Sequence, residues 1–140
     1  MLDLTAWVDK SQPHCACQID LATDLDDAKN TRRFPSVQLV PGRDQVQHAG
    51  MHPTVKHTVT SEVLVVTAIS RSRRDHENSN ELVSTRKSVI GPLINWQPPG
   101  ANDVILWGGG QLLKLNNQAI FWVDVLSVEH DFIFNAEVTP

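Results

Sequence analysis

The clearest periodicity in the chain lies in residues 53–70, where apolar and polar positions alternate. Val55, Val59, Val63, Val65 and Ile69 fall on one face, and Lys56, Thr58, Thr60 and Glu62 fall on the other. A period of two is the pattern of a half-buried strand. The run is long against the usual strand of roughly five or six residues. Such a strand projects beyond its own core and leaves unpaired edge groups for a partner. Residues 71–80 contain no apolar side chain and read as an exposed loop, with Ser79 or Asn80 placed to cap a helix. The period then changes. Leu82, Val89 and Leu93 recur at helical spacing, with Val83, Ile90 and Ile94 beside them. Pro92 predicts a kink, because it removes a hydrogen bond and crowds the carbonyl of Ser88. Asn95 suits a left-handed helix end, and Pro98-Pro99-Gly100 blocks continuation.

Patterning elsewhere is weaker. Residues 2–10 read as a short helix with Leu2, Ala6 and Trp7 on one side and Asp3 in the first turn, broken at Ser11-Gln12-Pro13. Residues 15–19 read as a short strand, and residues 24–28 as an acidic helix capped by Thr23 or Asp24. Residues 34–40 form a strand that tolerates Pro35 near its start and ends in a Pro41-Gly42 turn. The polar residues 43–52 then read as an exposed loop or hairpin tip. Residues 104–107 form a short strand, and Gly108 to Gly110 a bulge or bend. Residues 112–115 and 119–134 form a hairpin around Asn116-Asn117, both tolerant of positive φ. In its second arm Leu126, Val128, Phe132 and Phe134 share a face with His130, while Val123 and Val125 fall on the other. The buried face is therefore expected to change at a bulge near Asp124. Residues 134–140 read as a flexible tail, and no internal repeat is visible.

Composition narrows the class. At 140 residues the chain is one domain by length, able to hold a core without metal or disulfide help. Its 41% apolar and 20% charged residues are those of a globular protein. A formal charge of -4 argues against a nucleic-acid binder. The longest apolar runs are about four residues, far short of the roughly 20 that a membrane span needs. Asp3 stands where a signal peptide carries base, so a cytoplasmic site of synthesis and residence is expected. Cys15 and Cys17 lie too close in sequence for a good disulfide and are expected as reduced thiols.

Candidate chemistry is thin. His14, Cys15 and Cys17 are zinc-type ligands, but a structural site takes four and no second paired motif exists. His48, His52 and His57 have a spacing that matches one helical face, which Gly50 and Pro53 oppose, so solvated loop histidines are the simpler reading. Ser70 and Ser72 lie near Arg71, Arg73, Arg74, Asp75 and His76 without a glycine-flanked nucleophile elbow. Asp24, Asp26 and Asp27 read as a solvated helix start. The three glycines lack the spacing and lysine of a phosphate loop. No catalytic, cofactor-binding or metal residue is assigned, and the chain is not expected to be an enzyme. The basic cluster Arg71, Arg73 and Arg74 faces phosphate, an acidic protein surface, or only solvent.

One stretch does resemble a known family. A valine-rich strand (Val63 to Ile69) leads through a polar loop into a helix that ends in Trp96 followed by Pro98. A short strand, a glycine-rich turn and the aromatic strand of Phe121-Trp122 follow, with the Phe34-Pro35 strand and Pro41-Gly42 upstream. Over roughly residues 34–134 this order resembles the tail terminator proteins of long-tailed bacteriophages, also described as tail-completion or minor tail proteins. Pro92 within the helix departs from the family pattern, and the first 30 residues match it loosely.

The resemblance implies an α+β fold with a mixed, mostly antiparallel sheet, helices packed on one side and long β-hairpin arms. It implies a structural protein without cofactor. Members form a hexameric ring on the last ring of the tail tube, stop its polymerisation and offer a docking surface to the head–neck connector. The partners implied are further copies of the chain, the tail tube protein and the neck protein. Neither membrane nor specific nucleic acid is a partner, although DNA passes through the ring. The location is the head-proximal end of the virion tail, after assembly in the host cytoplasm. Arg43, Gln45, His48 and His52 on one exposed segment, and Arg71, Arg73 and Arg74 on the other, are the expected partner interface. The competing readings are a neck or head-completion connector of the virion and a small metal- or ligand-binding protein. Loss of a terminator gives overlong tails, loss of a neck protein gives normal tails without heads, and the third reading predicts bound metal.

Overall fold

The structure is a computed structural model that describes residues 2–49 and 54–135. One mixed sheet has the order β1-β2-β3-β5-β4. Its strands are β1 (Ile19–Leu21), β2 (Ser36–Ala49), β3 (Thr54–Ser70), β4 (Leu106–Leu115) and β5 (Ala119–Asn135). β1 runs parallel to β2, and the remaining pairs are antiparallel. The helices are α1 (Leu4–Ser11), α2 (Leu25–Ala28) and α3 (Asp75–Ile90). The fold is α+β, as the tail-terminator resemblance implies.

The sheet is built around β3 and β5, which pair without a register shift from Thr54–Asn135 to Ser70–Ala119. Apolar side chains on both faces explain its central place. On one face Val63, Val65, Leu126 and Val128 pack with Val37 and Leu39 against Trp7, Val89 and Leu93. This is the face covered by α1 and α3. α1 begins where the Asp3 carboxylate accepts the Thr5 N–H at 3.0 Å, satisfying one of the free donors of the first turn. On the opposite face Val40, Val66, Ala68, Phe121 and Val123 form a second core with Ala22 and Ala28. The single turn of α2 helps to cover it, capped by Asp24 through a 2.7 Å bond from the Asp27 N–H.

Among the residues whose side chains are described, neither apolar cluster includes 43–47, 56–62 or 129–133, although Val59 is itself buried. The outer parts of β2, β3 and β5 therefore run on as a three-stranded arm. Hydrogen bonding to β2 on one side and β5 on the other holds β3 in its middle. Against the third strand's free side, the segment before β4 lays Ala101 beside His130 and donates the Asn102 N–H to the Glu129 carbonyl at 2.8 Å.

Several local expectations are corrected. Pro41-Gly42 is not a turn: β2 continues to Ala49 and absorbs the dipeptide as a bulge between Pro41 and Asp44. A Cβ on Gly42 would lie 2.8 Å from the Glu62 carbonyl oxygen, so the glycine permits close pairing there. Residues 43–49 are thus strand rather than loop. β1 starts at Ile19; residues 15–18 form a connection held by the Gln12 side chain, which bonds the Cys17 carbonyl and the Ile19 N–H. α3 starts at Asp75, inside the expected loop, and ends at Ile90. Pro92 kinks no helix, because it falls in the turn that follows. Asn95 does take the left-handed conformation, with φ 64°.

β4 is one strand across the glycines, with a register shift between Trp107 and Gly110. The hairpin turns at Asn116-Asn117 as expected, but neither has positive φ. Instead the Asn116 carboxamide oxygen accepts the N–H groups of Gln118 and Ala119, both at 2.8 Å. β5 has no bulge against β3 at Asp124; burial of both its faces removes the need for one. β5 runs through Asn135, two residues into the expected tail, and residues 136–140 lie outside the described residues.

Candidate partner interface

The expected interface residues fall at opposite ends of β3. Arg43 and Gln45 are exposed on the outer part of β2, where Val46 is 57% exposed beside them. His48 pairs with Thr58 in the ladder; its side chain, and the whole of His52, lie outside the described residues. Arg71, Arg73 and Arg74 are exposed at the other end. Arg71 prolongs the sheet by donating its N–H to the Gln118 carbonyl at 2.9 Å, and its guanidinium reaches the Asn116 carbonyl at 3.2 Å. Arg74 precedes α3 and pairs with Glu77 at 3.3 Å. A pair this exposed contributes little to stability and is free to exchange for a partner's carboxylate. The two sets therefore do not form one site.

Around the arm the polar contacts are local and structural. Ser61 Oγ lies 2.5 Å from the Asp44 carboxylate and 2.6 Å from His130 Nε2. A nucleophilic triad needs its carboxylate on the imidazole, where it fixes the tautomer that accepts the serine proton. Here the carboxylate contacts the serine, and His130 Nδ1 has no hydrogen-bond partner among the described residues. The cluster ties β2, β3 and β5 together across the arm. Asp131 does the same work at the edge. It accepts from Asn102 at 2.9 Å and Thr58 at 3.2 Å, and pairs with Lys56 at 3.2 Å. The Asn102 bond is the largest influence and holds its carboxyl below the ordinary 3.8; desolvation opposes it, and Lys56 and Thr58 add to the lowering.

Sequence reading missed a buried ion pair behind α3. Asp124 is fully buried and receives two guanidinium bonds from Arg86 of α3, at 2.9 and 2.8 Å. Trp107 donates its indole N–H to the same carboxylate at 3.1 Å, and Arg86 stacks over Trp122 at 4.7 Å. A Cβ at Gly110 would overlap the Asp124 carboxylate and the Trp122 indole nitrogen. That close approach is what the glycine bulge permits. The available signal was a lone aspartate inside the apolar run from Phe121 to Leu126, since a charge there requires a partner.

Cys15 and Cys17 are free, with their sulfurs 3.1 Å apart. Burial, then the hydrogen bond with Cys15, pushes the Cys17 thiol up to about 12. Among the described residues, no three or more His, Cys, Asp or Glu side chains gather as a metal site, and no helix is long and apolar enough to cross a membrane.

The sheet outruns its two apolar clusters, with Arg43 exposed on the arm and Arg71, Arg73 and Arg74 exposed at the other end of β3. The chain belongs to the phage tail terminator protein family, whose model matches residues 1–136. No individual curated protein matches it. Membership gives the chain a tail-terminator role in the phage virion tail, in contact with other tail and head components.

Proposed function

We propose that the protein forms a hexameric ring on the last ring of the tail tube, at the head-proximal end, after assembly in the host cytoplasm. Each subunit covers an edge that the tube protein would otherwise extend, and the ring's other surface receives the head–neck connector. DNA passes through the ring without sequence-specific contact. The work is done by matched shape and charge, with no catalytic step and no cofactor. Family membership over residues 1–136 carries this reading. The three-stranded arm supports it, because strand lying outside both hydrophobic cores is available to neighbouring subunits or to the tube.

Electron microscopy of phage lacking the gene tests the proposal. Overlong tails are expected, and normal-length tails without heads would instead establish a neck protein. A second test reverses Arg71, Arg73 and Arg74 to glutamate. All three are exposed, so Tm should move by no more than about 4 °C, the equivalent of roughly 1 kcal/mol. Head joining should fail. Normal virions from this variant would remove the basic loop from the docking surface.

A further inference from the structure

We propose that Lys29, Arg32 and Lys114 form an anion-receiving pocket that, together with Arg71 and Arg73, holds an extended acidic segment of a protein partner. The cations come from three separate parts of the sequence, and the fold brings them around the β4–β5 turn. On one side of the turn lies a pocket of about 550 Å³, lined by Lys29, Arg32 and Lys114 with Asn116 and Gln118. No carboxylate lines it. A second pocket, of about 320 Å³, is lined by Arg71, Ser72, Arg73 and Asn117. The residues of one turn thus line two basic hollows, Asn116 and Gln118 the larger and Asn117 the smaller.

The cations are available. Arg32 and Arg73 make no hydrogen bond or ion pair within the described residues. Lys29 pairs at 3.1 Å only with Asp26, whose side chain is 89% exposed, a contact that water already weakens. Lys114 sits 5.6 Å above the Phe121 ring. That ring and Phe34, packed edge to face at 6.1 Å, give the larger pocket an apolar wall.

The occupant this fits is peptide rather than duplex. A volume of a few hundred Å³ accepts a few side chains. In an extended peptide, alternate side chains on one face stand roughly 7 Å apart, so a run of carboxylates presents repeated negative charge to the cations around the turn. The aromatic wall suits their methylene stems. A chain of net charge -4 lacks the overall basic field of nucleic-acid binders. The inference deepens the docking role proposed above by adding Lys29, Arg32 and Lys114, and rests on it only for the source of the segment.

The test is fluorescence anisotropy of a labelled oligoglutamate peptide, and separately of a short mixed-sequence DNA duplex, with the purified full-length protein. The peptide should bind at low salt and weaken as salt rises. Arg32→Glu with Lys114→Glu should reduce that binding by on the order of tenfold or more. The neutral pair Arg32→Gln with Lys114→Gln should give a smaller loss. Lys10→Glu with Lys87→Glu, which makes the same change of net charge away from the pocket, should leave binding unchanged. Absence of peptide binding by the wild type, equal loss in the control pair, or a duplex bound more tightly than the peptide would each overturn the proposal. Virion assembly decides the docking reading separately, so the two can fail independently.

Discussion

Asp124 shows what a single buried charge can organise. Its carboxylate joins α3, β4 and β5 through Arg86 and Trp107. Removing Arg86 strands a carboxylate closed to water, and removing Asp124 strands a guanidinium whose side chain is only 20% exposed. Asp124→Ala should therefore destabilise the protein by about 3–5 kcal/mol, whereas Arg86→Met combined with Asp124→Leu should lose much less. Urea denaturation of the two variants checks this, and equal losses would refute the account. Asp131 gives a pH counterpart. Its folded carboxyl titrates below 3.8, so the associated stabilisation is present above that value and is lost as pH falls through the lower folded pKa. Asn102→Ala removes the largest cause and should return the titration towards 3.8, as measured by carbon NMR of the carboxyl group. Cys17 behaves oppositely. With its thiol held up at about 12, it should react with a disulfide reagent at neutral pH far more slowly in the folded protein than after unfolding.

At the scale of elements, α3 has an unusual beginning. Arg74 occupies the N-cap with no side-chain capping bond, and Asn78 instead holds the entering chain by bonding both backbone groups of Ser72. Arg74→Ser should supply the missing acceptor and raise stability by about 0.5–1 kcal/mol. If the basic loop docks a partner, the same change should weaken head joining, separating fold stability from assembly. This start also explains an error of sequence reading. His76, Glu77, Ser79 and Asn80 are polar because they are exposed, Asn78 is polar because it is buried on the Ser72 backbone, and a stretch without apolar side chains reads as loop.

The amphipathic part of α3, the cap expected at Thr23 or Asp24 and found at Asp24, and the alternation in β3 were legible because each is a local pattern, whereas Asp3 caps α1 rather than lying in its first turn. The bulge at Pro41 was not, since its cause is the close approach of Glu62 from another strand. Burial of both faces of β5 was equally hidden. One face of Phe121–Leu126 meets α3 and the other meets α2, and neither partner is near in sequence. The site residues Arg71 and Arg73 were visible as a run, whereas their spatial companions Lys29, Arg32 and Lys114 could be found only in the fold.

The whole molecule divides into a doubly covered sheet and an arm that leaves both cores behind. Native-state hydrogen exchange should show that division. Amides of Val63 to Ala68 should exchange through global unfolding, while those of Lys56 to Thr60 should exchange at least tenfold faster through local opening. Equal protection along β3 would mean that the arm is as cooperative as the core. The ladder that joins the two parts also sets a schedule. β3 ends at Ser70, but the strand it pairs with does not begin until Ala119. At about 5–20 residues per second, translation leaves β3 without that neighbour for roughly two to ten seconds. The arm, and any capping surface it carries, therefore cannot exist on a partly made chain. On the proposed capping role, an unfinished nascent chain lacks the paired arm with which it would cover a tube.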